Sequence, residues 1–257
     1  MPSVPFIVAI PARMASTRLP GKPLLPIAGV PMIVHVARRA LAAGASEVVV
    51  ATDDVRIAGV VNESGVRVVM TRADHASGSD RLAECAHALG WADETIVVNL
   101  QGDEPLAPSS GIRAVAAAIG ESDALMATLA TPIGSVEEFL DPNCVKVVCD
   151  AAGRALYFSR APVPWPRDAF VRDRGALPPN TALLRHIGIY AYRAGFLRKF
   201  AKLPRTPLEQ AESLEQLRAL EHGYAIAVRK APEPFPIGVD TSEDLARVER
   251  ILAGTTQ

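Results

Sequence analysis

The chain has no glycine-rich phosphate loop. Neither G-x-x-x-x-G-K-[ST] nor G-x-G-x-x-G occurs in its 257 residues, which removes the P-loop and the dinucleotide-dependent oxidoreductases from consideration. Cysteine is scarce: Cys85, Cys144 and Cys149 are too few and too unevenly spaced for a disulfide framework or a zinc site. Cys144 and Cys149 fall in one strand-like run on opposite faces, so free thiols in a reducing compartment are expected. No apolar run is long enough to cross a bilayer, and no basic segment precedes the first apolar stretch as in a signal peptide. The expectation is a soluble, cytoplasmic protein. An excess of either charge is missing too: 27 Lys and Arg against 28 Asp and Glu leave a net charge of -1, without the broad basic face of a nucleic-acid binder. No Ser-His-Asp or Cys-His set stands out, so a covalent intermediate is not expected.

What is present is a chain 49% apolar, enough for the core of one large domain. Its first half alternates strand and helix patterns. Val4–Ile10, Glu47–Thr52, Val66–Met70 and Thr95–Leu100 read as buried strands; Pro31–Ala43, a segment from Asp54, Gly78–Leu89 and Pro108–Ile119 read as helices. Near-continuous apolar strands separated by helices predict a three-layer α/β fold on a mostly parallel sheet, with ligands at the carboxyl ends of its strands. The pattern then changes. Leu125–Thr131, Val145–Asp150, Arg154–Phe158 and His186–Tyr192 are strand-like with short connections, and Ala161–Pro179 is a long irregular stretch rich in proline. Pro207–His222 reads as one helix, Ala225–Val228 as a strand and Thr241–Leu252 as a last helix. These patterns give one α/β domain, with a core of 1–124 and 225–257 and an antiparallel insertion, 125–224, covering the site.

Without a glycine loop, side chains must neutralise any phosphate. The segment leaving the first strand, IPARMASTRLPGK, packs Arg13, Arg18 and Lys22 into one loop, a receptor for something highly anionic such as a triphosphate. NLQGDEP ends the TIVVNL strand; Gly102 would permit a tight turn and Asp103 would emerge at the ligand edge. The same residues also suit a solvated turn before a helix. In GVDTSED, Thr241 and Asp244 fit a capping box, so Asp240 alone reads as a residue before a helix cap. It gains weight only as a partner for Asp103, when two carboxylates from distant segments would make a hard-cation site. The polar run Thr71–Arg81 could read a base edge or simply cap a helix. Arg160 and His186 are donors suited to a carboxylate or a hydroxyl-rich ligand, and Glu209, Glu212 and Gln216 would share one face of their helix, either as sugar-binding acceptors or as an ordinary charged face.

Taken together and in order, IPARMASTRLPGKPL, VNLQGDEP, ALYFSRAPVPW, RHIGIYAYR, LEQAESLEQLRAL and GVDTSEDLARV resemble the 3-deoxy-manno-octulosonate (Kdo) cytidylyltransferase family of Gram-negative bacteria, from Ile10 to Leu252. The resemblance implies a nucleotide-diphospho-sugar transferase fold, CTP as donor, Mg²⁺ and a homodimer. It implies that the anomeric hydroxyl of Kdo attacks the α-phosphorus, giving CMP-Kdo and pyrophosphate for lipopolysaccharide synthesis. Carried over by position, Arg13 and Lys22 would hold the triphosphate and Asp103 and Asp240 the metal. Gln101, Arg160, His186, Tyr190, Glu212 and Gln216 would line the sugar pocket, and Thr71, Arg72, Ser77 and Arg81 would lie near the nucleotide. Met14 stands where an aromatic residue is usual, Ser242 where proline is common, and Arg167–Leu183 matches poorly. Another acid sugar, 8-amino-Kdo or a sialic acid, is the alternative acceptor. A silent nucleotide-binding regulator is the alternative from another class.

Overall fold

The computed structural model describes residues 4–16, 18–179 and 181–254. In chain order the elements are β1 (Ile7–Ala12), a 3-10 turn (Lys22–Leu24), β2 (Pro26–Ile27), β3 (Val30–Pro31), α1 (Met32–Ala42), β4 (Glu47–Thr52), α2 (Val55–Glu63), β5 (Arg67–Met70), α3 (Gly78–Ala88), β6 (Ile96–Asn99), α4 (Ser109–Gly120), β7 (Met126–Pro132), α5 (Val136–Leu140), β8 (Lys146–Cys149), β9 (Ala155–Ser159), α6 (Arg167–Arg172), β10 (Leu184–Arg193), α7 (Ala194–Phe200), α8 (Pro207–Glu212), α9 (Gln216–Glu221), β11 (Ile226–Lys230) and α10 (Ser242–Gly254).

Seven strands run in the order β11-β7-β10-β6-β1-β4-β5. Neighbours are parallel except at β10, which lies antiparallel to β6 and β7. The period of two along each strand builds the layers. Val8, Ile10, Val48, Val50 and Val98 face α1, α2 and α4, while Ile7, Ala9, Val49, Ala51 and Val97 face α3, α7 and α9. A continuous apolar strand is therefore buried on both faces, as the sequence pattern requires. The parallel arrangement brings the loops after β1, β5 and β6 to one edge of the sheet.

The expected division into a core and a 125–224 insertion follows no seam in this sheet. β7 and β10, both inside that segment, are central strands. β10 fits between β6 and β7 because Ile189 and Ala191 join one apolar layer and Leu184 and Tyr192 the other. What stands apart is the β8–β9 pair, attached through β10, and a small satellite core of Ile133, Phe139, Cys144, Phe170 and Leu183. The stretch read as irregular contains α6, anchored by Phe170. The short helices α5 and α7 carry no long periodic run; α5 is marked only by its flanks, Gly134 and the Ser135 cap before it and Pro142 after it.

Pro207–His222 is two helices. Ser213 adopts the left-handed conformation, φ 52°. In one continuous helix Glu209 and Arg218, nine positions apart, would project from opposite sides at about 100° per residue. The break lets them meet: Arg218 Nη2 and Nε donate to the two Glu209 carboxylate oxygens at 2.5 and 2.8 Å, both side chains are buried, and the guanidinium lies over the Phe200 ring. Among the described residues, no helix is long and apolar enough to cross a membrane.

Removing one partner of a buried bidentate pair strands the other charge, at a cost of about 3–5 kcal/mol. Glu209→Gln should therefore lower the unfolding free energy by about 3 kcal/mol in a urea titration; an unchanged midpoint would show that the broken helix does not depend on the pair.

Candidate active site

Three remote segments meet at the carboxyl edge. The loop after β1 passes through Gly21, whose φ of 68° reverses the chain and turns Lys22 inward. The loop after β6 carries Asp103. Gly102 serves this loop by its missing side chain rather than by an unusual φ: a Cβ there would stand 2.9 Å from the Pro11 carbonyl oxygen, so only glycine lets the loop lie against the end of β1. The third segment, 238–240, is stitched to the second by the Val239 N–H, which donates to the Asp103 carbonyl at 2.8 Å. Thr241 and Asp244 form the expected cap of α10, and α10 packs through Val248 on Ile27 and Met32. The cap leaves the Asp240 carboxylate free of helix duty.

Lys22 ties the three together. Its Nζ donates to Asp103 Oδ2 at 2.6 Å, to Asp240 Oδ1 at 3.1 Å and to the Val239 carbonyl at 3.0 Å. Arg18 Nη2 reaches the other oxygen of Asp240 at 3.0 Å. The two aspartates therefore share one cation. Burial alone would lower the pKa of Lys22, but Asp103 and Asp240 outweigh it and hold the ammonium above its ordinary value. The Arg18 pair is 66% and 46% exposed, so it contributes little to stability and exchanges readily for another anion.

Two clefts meet at this knot. The smaller, about 350 Å³, is lined by Arg13, Ser16, Lys22, His75, Arg81 and Gln101, among others. The larger, about 810 Å³, is lined by Glu104, Glu138, Arg185, His186, Phe235 and Ile237, among others. Arg18, Asp103 and Asp240 line both. The amino end of α3, at Gly78, opens on the smaller cleft and adds its positive pole. On the other side, burial and the neighbouring Asp103 and Asp240 push the Glu104 carboxyl up to about 8, which keeps a further negative charge off the cluster near neutrality. Burial pushes the His186 imidazole down to about 3; its Nε2 meets Thr128 Oγ1 at 2.9 Å.

A family model described as "Cytidylyltransferase" matches residues 7–229. The chain is 61% identical to the 3-deoxy-manno-octulosonate cytidylyltransferase of Stenotrophomonas maltophilia (strain K279a), over 96% of both chains, and 62% identical to that of Xanthomonas campestris pv. campestris (strain B100), over 96% of this chain and 89% of the other. The chain belongs to the 3-deoxy-manno-octulosonate cytidylyltransferase family. The solved structure of CMP:2-keto-3-deoxy-manno-octonic acid synthetase complexed with CTP superposes with a TM-score of 0.88 at 42% identity, covering 98% of this chain and 100% of that one. At 14% identity and a TM-score of 0.63, 4-diphosphocytidyl-2C-methyl-D-erythritol synthase shares the fold.

In this cytidylyltransferase the residues expected from sequence fall into three groups. Arg13, Lys22, Ser77, Arg81, Gln101, Asp103 and Asp240 line the smaller cleft; His186 lines the larger. Some of these are already engaged. Ser77 Oγ caps α3 through the Asp80 N–H and donates to Glu215 at 3.0 Å. Arg81 is buried, with Nη1 on Thr71 Oγ1 at 2.5 Å and 3.2 Å from Asp53; this leaves Thr71 as a support under the cleft. Gln101 faces the smaller cleft rather than the larger and donates to Asn99 Oδ1 at 2.9 Å.

The third group lies outside both linings. Arg72 is exposed and pairs with Asp74. Arg160 spends its guanidinium on the carbonyls of Glu212 and Pro142, at 2.7 and 3.0 Å. Glu212 accepts from Ser159 Oγ at 2.6 Å and Arg160 N at 2.8 Å, and Gln216 is buried with its Nε2 unpaired. Tyr190 packs against the His186 ring. Glu209, Glu212 and Gln216 form no common row because the helix breaks between them. Sequence reasoning missed His75, which bonds Glu84, as well as Glu104, Arg185 and the Phe235–Gly238 wall. Glu104 and Arg185 adjoin assigned residues, His75 lies within the Thr71–Arg81 run and Gly238 begins the GVDTSED segment, so all four were open to the same argument; nothing local marks Phe235–Ile237.

Two measurements test this geometry. Gly102→Ala must push residue 102 away from the Pro11 carbonyl and carry Asp103 with it, so kcat/KM should fall at least about tenfold, or 1.4 kcal/mol, with the melting temperature nearly unchanged; full activity would show that the close approach is dispensable. His186 is neutral in the folded protein while the unfolded chain takes up the proton first, so its contribution to stability is lost as pH falls from 6.5 towards 3. Between pH 7.5 and 5 that loss is about 2 kcal/mol. Urea unfolding at the two pH values should show it, and His186→Gln should remove that part of the slope.

Proposed function

We propose that the chain transfers the cytidylyl group of CTP to the anomeric hydroxyl of Kdo and releases pyrophosphate. One observation carries the reading: Asp103, Asp240 and Arg18 line both clefts at once, so a charged junction separates a triphosphate-sized cleft rich in cations from a larger cleft suited to the acceptor. The names of the relatives and the CTP complex of the similar structure support the same donor and acceptor.

The residues fit Mg²⁺. Asp103 and Asp240 are hard oxygen donors that already share a cation, the Lys22 ammonium, and they would hold the ion. Bound there, it would offset charge on phosphate oxygens and acidify the attacking hydroxyl. The chain's own residues do the rest. Arg13 and Lys22 take up the negative charge that develops on the departing pyrophosphate. Arg18, loosely held by Asp240, can turn to a phosphate or to the sugar carboxylate. The sugar oxygen forms its bond to the α-phosphorus as the bond to the β-phosphate bridging oxygen breaks, and the hydroxyl proton leaves to solvent. The backbone of Thr71 and the loop to Ser77, held from below by Arg81, borders the base, with Arg72 at its outer rim. Gln101 reaches the sugar from the smaller cleft and His186 from the larger, while Tyr190, Arg160, Glu212 and Gln216 shape the sugar's surroundings.

The three cysteines are unpaired, which suits the cytoplasm. The chain also forms a homodimer in this reading, for which exposed apolar side chains such as Leu156, Trp165 and Val171 are available.

A pyrophosphate-release assay with CTP, Mg²⁺ and a panel of acid sugars tests the reaction; preference for a sialic acid or 8-amino-Kdo would reassign the acceptor. Asp103→Asn should reduce turnover at least about a hundredfold, or 2.7 kcal/mol, while the protein stays folded. A near-normal rate in Mg²⁺ would remove Asp103 from the metal role.

A further inference from the structure

Lys146, on β8, is completely buried. Its ammonium makes three hydrogen bonds, to the carbonyl oxygens of Asp141 (2.8 Å), Cys144 (2.5 Å) and Arg160 (2.7 Å). All three N–H donors are spent, each on main chain rather than on a carboxylate. Burial holds its pKa below that of a free lysine. An apolar side chain of similar length would fill the same space without desolvating a charge, so filling the core does not explain an ammonium here. What the ammonium achieves is geometric.

The carbonyls it collects belong to two segments that are not otherwise paired as strands. One is the 141–144 loop, whose Asp141, Asn143 and Cys144 line the larger cleft. The other is the end of β9 at Arg160, which returns the contact by donating from Nη1 to the Pro142 carbonyl. Three carbonyls of the loop, from 141, 142 and 144, are thereby turned onto two cations. Lys146 also stands opposite Arg185 in the β8–β10 register, and the His186 N–H donates to the Val145 carbonyl at 2.8 Å. Arg185 and His186 form the facing part of the same cleft. One buried nitrogen therefore ties the 141–144 loop to the end of β9, next to the Val145 carbonyl that joins it to the strand carrying Arg185 and His186.

We propose that Lys146 is a positioning residue for the acceptor: its three-point tie fixes the 141–144 wall at the distance the acid sugar requires, without touching the sugar. This rests on the larger cleft being the acceptor site.

The test is steady-state kinetics of the full chain with Kdo and CTP varied in turn. Lys146→Met removes all three donors and should raise KM for Kdo at least about tenfold while KM for CTP stays within about twofold. Lys146→Gln, which keeps two donors on a shorter arm, should fall between wild type and Lys146→Met. Amide exchange at residues 143 and 144 should quicken in both variants. If Lys146→Met gives no cooperative melt, the split is read on Lys146→Gln. Folded variants with equal changes in both KM values, or with none, overturn the proposal. A wild-type chain that releases no pyrophosphate from CTP and Kdo overturns instead the reading of the cleft on which the proposal stands.

Discussion

The Lys22 ammonium between Asp103 and Asp240 is the interaction on which the arrangement depends. Two carboxylates this close repel each other unless a cation lies between them. In this structure the cation comes from the chain itself, from a loop 81 positions away from one aspartate and 218 from the other. The same nitrogen also takes the Val239 carbonyl, so the charge cluster and the backbone that carries it are fixed together. With Arg18 on the outer oxygen of Asp240, the lysine leaves the cluster balanced in charge and ordered, and on the proposed reading phosphate oxygens would take the place of its carboxylates.

Around that junction the fold separates what must be rigid from what must exchange. Rigidity comes from main-chain contacts and buried groups: Gly102 against Pro11, Val239 on Asp103, Arg81 beneath Thr71, and the Glu209–Arg218 pair beyond the Glu215 that holds Ser77. Exchange falls to exposed side chains. Arg18 and Arg13 lie in solvent at the mouth, where ion pairs are weak and partners change at little cost. The two arginines and Lys22 share one loop, but the geometry gives them different duties.

Much of the fold was legible because its signals are local. The parallel strands are apolar on both faces, the helices between them are periodic, and the caps at Asp54, Ser77 and Thr241 are side-chain chemistry within a few residues. Elements that failed this test were set by distant contacts. The left-handed Ser213 answers to where Arg218 must go, and the central place of β10 answers to which strand edges remained open. The change of pattern at residue 124 marks no break in the sheet for the same reason: β7 and β10 beyond it are central strands.

For the site, the amino-acid sequence by itself determined the donors: two aspartates, a lysine and arginines on segments that end at one sheet edge, together with the family resemblance that names their chemistry. Only the tertiary structure decided which of those groups line a cleft and which brace its wall. Arg160, Glu212 and Ser77 have the same side chains either way, and their roles differ because neighbouring carbonyls, hydroxyls and amides claim them first. A side chain's chemistry is written in its residue type. Its availability depends on what packs beside it, and for this chain those neighbours come from segments far apart in sequence.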